Sequence, residues 1–213
     1  MRIAVIDLGT NTFNLLVADG EPASRLSVIY RNEVGVKIGQ GGIHKKTITP
    51  QAFRRGLKAM GEQIEKARTF EPDKILVVAT SGVRSAENGS VFIDRIAQDF
   101  NLPVEVITGN REATLIYRGV RQSVDLGSHP ALIVDIGGGS NECILANGKQ
   151  ILWKQSFDIG MARVLERFHP SSPITAKEIQ DIRRYYDDAL QPLTRQITKY
   201  PPQKLVGCAG TFE

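Results

Sequence analysis

Ala131-Leu132-Ile133-Val134-Asp135-Ile136-Gly137-Gly138-Gly139-Ser140-Asn141-Glu142 is the stretch whose reading decides the fold. Its first four residues form an apolar run of the kind a buried strand carries. Cys143-Ile144-Leu145 continue as a returning strand, and Asn147-Gly148 marks a tight turn. The pattern is strand, glycine loop, strand. Three successive glycines carry no Cβ, so their N–H groups can turn toward an anion and positive φ is open to them. Asp135, at the strand end, can hold a divalent cation directly or through water. Ser140 adds a hydroxyl and Glu142 a second carboxylate. The combination suits a metal–phosphate substrate. The bland alternative is a glycine-rich hairpin with an aspartate at its turn.

A second copy lies at the start of the chain. Ile3-Ala4-Val5-Ile6 leads into Asp7-Leu8-Gly9-Thr10-Asn11-Thr12, and Phe13 to Ala18 return as a strand. Residues 7–12 align with 135–140 without a gap. A repeated strand–loop–strand phosphate motif implies two similar lobes facing each other across a cleft, with phosphates between the two loops.

At 213 residues the chain can bury a sizeable core as one or two domains. With 41% hydrophobic and 23% charged residues, it has the composition of a soluble globular protein. The formal charge of +4 favours an anionic ligand without naming one. No apolar run is long enough to span a bilayer, so no membrane partner is expected. The N-terminus enters a strand without a secretory pattern. Cys143 and Cys208 form no paired framework, which fits a reducing cytoplasm. His44, His129 and His169 have no zinc spacing. No clustered basic and aromatic stripe points to nucleic acid.

Three strands are expected over residues 2–36. Lys37 to Gly42 read as a mobile surface connection, with closure over a ligand as the functional alternative. Thr49-Pro50 opens a helix to about Arg68. Lys74 to Ala79 form a buried strand that delivers Thr80-Ser81-Gly82-Val83-Arg84 to a position where ligands collect. The Arg84 fork matches phosphate oxygens, against a salt bridge with Glu87 or a solvated helix end. A helix from Ser90 to Phe100 and a strand over 103–107 follow. Thr108-Gly109-Asn110 cap a helix from Arg111 to about Ser123, whose first turn holds Glu112. That acid is either a first-turn carboxylate favoured by the helix dipole or a general base for water. Beyond the glycine loop come a strand over 150–157 and a helix through Phe168. Thr175 caps a further helix to about Ile197, which Pro192 kinks or ends. Lys204 to Cys208 form the last strand, and Ala209-Gly210-Thr211 a third glycine turn.

Five elements in this order carry a resemblance. They are Asp7-Leu-Gly-Thr-Asn-Thr12, Ala79-Thr-Ser-Gly-Val-Arg84, Ile107-Thr-Gly-Asn-Arg-Glu-Ala113, Asp135-Ile-Gly-Gly-Gly-Ser-Asn-Glu142 and Gly207-Cys-Ala-Gly-Thr211. The chain resembles the exopolyphosphatase/guanosine pentaphosphate phosphohydrolase (Ppx/GppA phosphatase) family, within the actin–sugar kinase–Hsp70 superfamily. The resemblance implies an α/β, actin-like ATPase (ribonuclease H-like) fold. It would have a first lobe over 1–124 and a second over 125–213, the second truncated at its C-terminal end.

The resemblance also implies roles. Glu112 matches the family's catalytic glutamate, the general base on the attacking water. Asp135 and Glu142 match the acidic pair that binds Mg²⁺ or another divalent cation, and Asp7 is assigned with them. Asn11, Thr12, Arg84, Gly137, Gly138 and Ser140 match phosphate-contacting positions. The implied reaction is Mg²⁺-dependent hydrolysis of the terminal phosphoanhydride of inorganic polyphosphate. Guanosine pentaphosphate is the alternative substrate, and a homodimer is admitted by the resemblance alone. Arg111 stands where the family usually has an acid, and Thr12 where it has a serine. Two other readings compete: an actin-like-fold ATPase or kinase, which would not require a glutamate at 112, and a non-catalytic polyphosphate- or nucleotide-binding module.

Overall fold

The computed structural model describes residues 1–21 and 26–209, and packs them as two units, Met1–Ile107 and Thr108–Glu213. The Gly210-Thr211 part of the expected third glycine turn lies outside the described residues.

In the first unit, β1 (Arg2–Leu8), β2 (Thr12–Asp19), β3 (Ser27–Gly35), β4 (Lys74–Ala79) and β5 (Val104–Val106) form a sheet of order β3-β2-β1-β4-β5. The first three strands are antiparallel neighbours, while β4 and β5 continue parallel to β1. Alternation decides which side chains go inward: Ala4, Ile6 and Leu8 from β1 and Phe13, Leu15 and Val17 from β2 are all buried. Helix α1 (Pro50–Arg68) and helix α3 (Gly89–Phe100) close that face with Met60, Ile64, Phe92 and Ile96. Thr49 caps α1 as expected, its hydroxyl accepting from Ala52 N at 3.3 Å. The short helix α2 (Ser81–Arg84) follows β4 directly.

The second unit repeats the plan. Strands β6 (Ala131–Ile136), β7 (Asn141–Ala146), β8 (Ile151–Phe157) and β9 (Lys204–Cys208) lie in the order β8-β7-β6-β9, with β9 parallel to β6 and the rest antiparallel. Among the described residues both sheets therefore show the actin-like (ribonuclease H-like) arrangement: a three-stranded meander extended by a parallel strand beside the first. Strand β7 is buried along its whole length, because apolar groups cover both of its faces. Ala113, Tyr117 and Val120 of α4 (Gly109–Ser123) pack with Ile133 and Ile144 on one side. Phe157, Ile159 and Leu193 pack with Cys143 on the other. Helix α4 precedes the expected boundary at 124/125, and its packing on β7 makes it part of the second unit.

Helix α5 (Met161–Phe168) follows β8. The expected helix from Thr175 breaks at Leu190 into α6 (Ala176–Ala189) and α7 (Gln191–Lys199), with Pro192 in the first turn of α7 where its missing N–H costs nothing. Thr175 and Glu178 form a reciprocal capping box at the start of α6. Neither cysteine is in a disulfide. No helix among the described residues is long and apolar enough to cross a membrane.

One expectation is corrected. Residues 37–42 are not a purely surface connection: Ile38 is buried in the core of the first unit, and Ile43 and Ile48 just beyond are buried too. Glycines and a lysine dominate the segment's composition, but its isoleucine decides where it sits.

Candidate active site

The two glycine loops are built alike. Each opens with an aspartate on the outgoing strand and turns at a glycine whose Cβ would strike backbone. A Cβ on Gly9 would lie 2.6 Å from Thr12 O, and one on Gly137 would lie 2.8 Å from Ser140 O. Among the described residues, the glycines at positive φ are Gly41 and Gly127. Gly137 is thus there for space rather than for a left-handed backbone.

Each loop is braced by the segment that follows the third strand of its sheet. In the first unit, Val36 N and Lys37 N donate to Asn11 O, and Ile38 N donates to Thr10 O, all at 2.8 Å. Gly82 lets α2 approach the same loop, since a Cβ there would meet Thr10 Oγ1 at 2.9 Å. In the second unit, Met161 N donates to Gly137 O at 3.0 Å and Ala162 N to Gly138 O at 2.8 Å. The start of α5 is therefore seated on the glycine loop. Gly160 makes this possible, because a Cβ at that position would lie 2.5 Å from Gly138 O and from Gly139 C. Arg163, one turn on, is buried and donates from Nε to Gly139 O at 2.7 Å, with Nη2 3.4 Å from Asp158 Oδ1. Neither Gly160 nor Arg163 is visible as a site residue in the sequence; both are defined by a tertiary approach. Gly160, at the N-cap of α5, is the one local signal, as a residue without Cβ at a helix start admits close backbone contact.

Register places the carboxylates. Asp7 stands opposite Asn14, whose amide donates to Asp7 Oδ2 at 3.5 Å. Asp135 stands opposite Glu142, so one cross-strand position holds two acids. Glu142 is only 2% exposed. Ser156 Oγ on β8 donates to Glu142 Oε1 at 2.6 Å, and the Ser140 side chain also bonds to this carboxylate. Burial, then the charge of Glu112, and then that of Asp135 push the Glu142 carboxyl from its ordinary 4.5 up to about 7, against the two serine hydrogen bonds. Glu112 sits in the first turn of α4, half-buried, close enough for its charge to be felt at Glu142. The structure thus brings Glu112, Asp135, Gly137, Gly138, Ser140 and Glu142 together in the second unit.

Asp7, Asn11 and Thr12 lie on the first hairpin. Arg84 ends α2 with Nη1 donating to Ile107 O at 2.9 Å, so its guanidinium is held against the end of β5 rather than trailing into solvent. Asn141 Oδ1 and Ser81 Oγ are buried atoms with no hydrogen-bond partner, one directly after the second loop and one at the start of α2. Buried polar atoms in that state are costly to leave unpaired.

No group of three or more His, Cys, Asp or Glu side chains lies together as a metal cage among the described residues. The acidic pair fits Mg²⁺ nonetheless, because that ion is characteristically bound by one or two carboxylates together with water and substrate phosphate. A cation would also offset the acidic crowding that raises Glu142.

Comparisons with known proteins agree with this architecture. The model of the Ppx/GppA phosphatase family matches residues 16–213. Exopolyphosphatase 2 of Mycobacterium tuberculosis is 34% identical over 219 residues, covering 99% of this chain and 68% of that protein. The crystal structure of an exopolyphosphatase from Cytophaga hutchinsonii superposes with a TM-score of 0.96 at 42% identity, covering 100% of this chain and 68% of that one. The PPX-GPPA enzyme of Aquifex aeolicus gives 0.77 at 26% identity, covering 99% and 68%. The chain belongs to the Ppx/GppA phosphatase family, a family of phosphoanhydride hydrolases.

Proposed function

We propose that the protein is an exopolyphosphatase that removes the terminal phosphate of inorganic polyphosphate with Mg²⁺. The observation that carries this reading is the meeting of charges at Glu142: a buried carboxylate raised by Glu112 and Asp135, beside a glycine loop. A cross-strand pair of acids favours a bound cation, and the loop favours phosphate. When bound, Mg²⁺ supplies positive charge for the phosphate oxygens as the P–O bond breaks. Asp135 and Glu142 hold it, and Asp7 is assigned to it from the first hairpin. Gly137, Gly138 and Ser140 receive phosphate oxygens, with Asn11, Thr12 and Arg84 as further phosphate contacts.

Glu112 accepts a proton from water as the water oxygen attacks the terminal phosphorus in line. The bridging P–O bond breaks, leaving orthophosphate and a chain one unit shorter. Catalysis of this kind rests on positioning and charge. The bracing of the loop by α5 and Arg163 supplies the positioning, since fixed loop amides need no reorganisation when charge develops.

The test is phosphate release from long-chain polyphosphate with Mg²⁺, with guanosine pentaphosphate assayed in parallel. Glu112→Ala is expected to lower kcat at least ~10²-fold, the usual contribution of a general base. Near-wild-type turnover in the variant overturns the role of Glu112. Release from guanosine pentaphosphate alone overturns the polyphosphate assignment. Saturable binding without release from either substrate would make the chain a binding module.

A further inference from the structure

Register sets three polar side chains in one row across the second sheet. Asp135 on β6 pairs with Glu142 on β7, and Glu142 in turn pairs with Ser156 on β8. Cross-strand partners point to the same face, with Cβ atoms about 4.5–5.5 Å apart. Ser156 therefore stands directly beside Glu142, and its hydroxyl donates to Glu142 Oε1 at 2.6 Å. A bond this short has the length of one made to an ionised oxygen. The matching row of the first sheet runs Asp7, Asn14, Glu33. The hydroxyl thus accompanies the second acid of the pair. Ser140 also bonds the Glu142 carboxylate, but from the end of the glycine loop, where it is a proposed phosphate contact. A serine hydroxyl has one proton to give, so Ser140 cannot donate to Glu142 and to a phosphate oxygen at once. Ser156 lies on a strand outside the loop and keeps its donor on Glu142 in either case.

We propose that Ser156 is a positioning residue, whose hydroxyl fixes the Glu142 carboxylate in the orientation in which the Asp135–Glu142 pair takes a divalent cation. The inference rests on the reading of that pair as the cation site. The terminal torsion of a glutamate is broad, so its carboxylate swings unless something holds it. One bond to Oε1 removes that freedom. A carboxylate has about four lone-pair positions, and two serine bonds leave about two of them for an ion. A ligand oriented before the ion arrives loses less freedom on binding, which is why partners of metal ligands affect affinity without touching the metal. Ser156 acts through Glu142 in this way and meets neither water nor phosphate itself.

The experiment is equilibrium titration of the full chain with Mn²⁺ in the absence of substrate. Mn²⁺ shares the oxygen-ligand preference of Mg²⁺, and its unbound fraction is read by electron paramagnetic resonance. Wild type is compared with Ser156→Ala, Ser156→Thr and Glu142→Gln. Glu142→Gln locates the ion and should abolish the binding. Ser156→Ala is expected to weaken it about tenfold, the lower end for removing a partner of a metal ligand. Ser156→Thr keeps the hydroxyl and should stay within about twofold of wild type. Trp153, the single tryptophan of the chain, is also on β8, so its emission reports whether the strand is disturbed. It should be the same in all four proteins. Unchanged affinity in Ser156→Ala overturns the inference. So does an equal loss in Ser156→Thr, or a loss in both variants that comes with shifted Trp153 emission. Binding that survives Glu142→Gln rejects the cation reading itself, and the role of Ser156 falls with it. Phosphate release with Mg²⁺ is scored separately. Ser156-dependent binding without release from either substrate keeps the inference and rejects the hydrolase reading; release with Ser156-independent binding does the reverse.

Discussion

The hairpins β1–β2 and β6–β7 share a register and a loop length, yet they differ at the cross-strand position of the aspartate. Opposite Asp7 stands Asn14, a neutral partner that donates to it; opposite Asp135 stands Glu142, a second acid. The bracing differs too. The first loop is held by an extended segment at Val36 to Ile38, the second by the start of a helix and a buried arginine. One backbone plan thus carries a hydrogen-bonded aspartate in one copy and an acid pair under electrostatic tension in the other. The scaffold fixes where the carboxylates stand, and one side chain decides whether the aspartate faces a neutral donor or a second acid.

The largest effect should come from making the second hairpin resemble the first. Glu142→Asn is expected to lower polyphosphatase activity by ~10–100-fold, the range for disturbing a metal's surroundings. Full activity in that variant would mean that the difference between the hairpins has no bearing on function. The bracing is tested next by paired glycine substitutions. Gly160→Ala forces a Cβ into the backbone of Gly138 and Gly139, and should cost about 1–3 kcal/mol in denaturant unfolding. Gly39→Ala meets the side chains of Thr10 and Ile43 at 3.0 and 3.1 Å, which can give way, and should cost less than about 1 kcal/mol. Equal costs would break the distinction between the two braces.

A subtler test uses pH. The unfolded Glu142 carboxyl loses its proton near 4.5, the folded one at about 7. The folded state therefore holds the proton more tightly. That contribution to stability is fully present below pH 4.5 and is lost as pH rises toward 7. Glu142→Gln should remove this slope, read as the difference in unfolding midpoint between wild type and variant across pH 4.5–7. Mg²⁺ should raise the wild-type midpoint more at pH 8 than at pH 5, because it favours the ionised acid. A wild-type slope identical to that of the variant would show that Glu142 titrates normally. The smallest effect is expected from Asn14→Glu. It sets a like charge opposite Asp7 and beside Glu33 on β3, costing about 0.2–1 kcal/mol, and it should not restore activity to Glu142→Asn.

Most of the fold was legible because its signals are local. The apolar runs before Asp7 and Asp135, the Thr49-Pro50 cap and Pro192 each act within a few residues. The repeat made the two-sheet plan readable, and both meanders follow it. Residues 37–42 were misread because composition averages over position: the glycines and the lysine outnumber the isoleucine, but Ile38 enters the core, as Ile43 and Ile48 do just beyond. The carboxylates at 135 and 142 were readable as a pair, whereas the burial that raises Glu142 depends on β8 and α4 arriving from distant sequence. Gly160 and Arg163 were illegible for the same reason. A glycine before a helix and an arginine one turn into it are ordinary until the loop they touch is known.

Cys143 follows Glu142 on the fully buried strand β7, and burial, with the neighbouring charge of Glu142, pushes its thiol up to about 12. Thiolate is the form that alkylating and disulfide reagents attack, so this sulfur is silent while the strand stays in place. Cys208, partly exposed at the end of β9, gives a separate and earlier signal. The labelling rate of Cys143 therefore becomes a clock for the opening of the strand that bears the buried acid. A ligand that fastens the glycine loop should slow that clock without touching the cysteine.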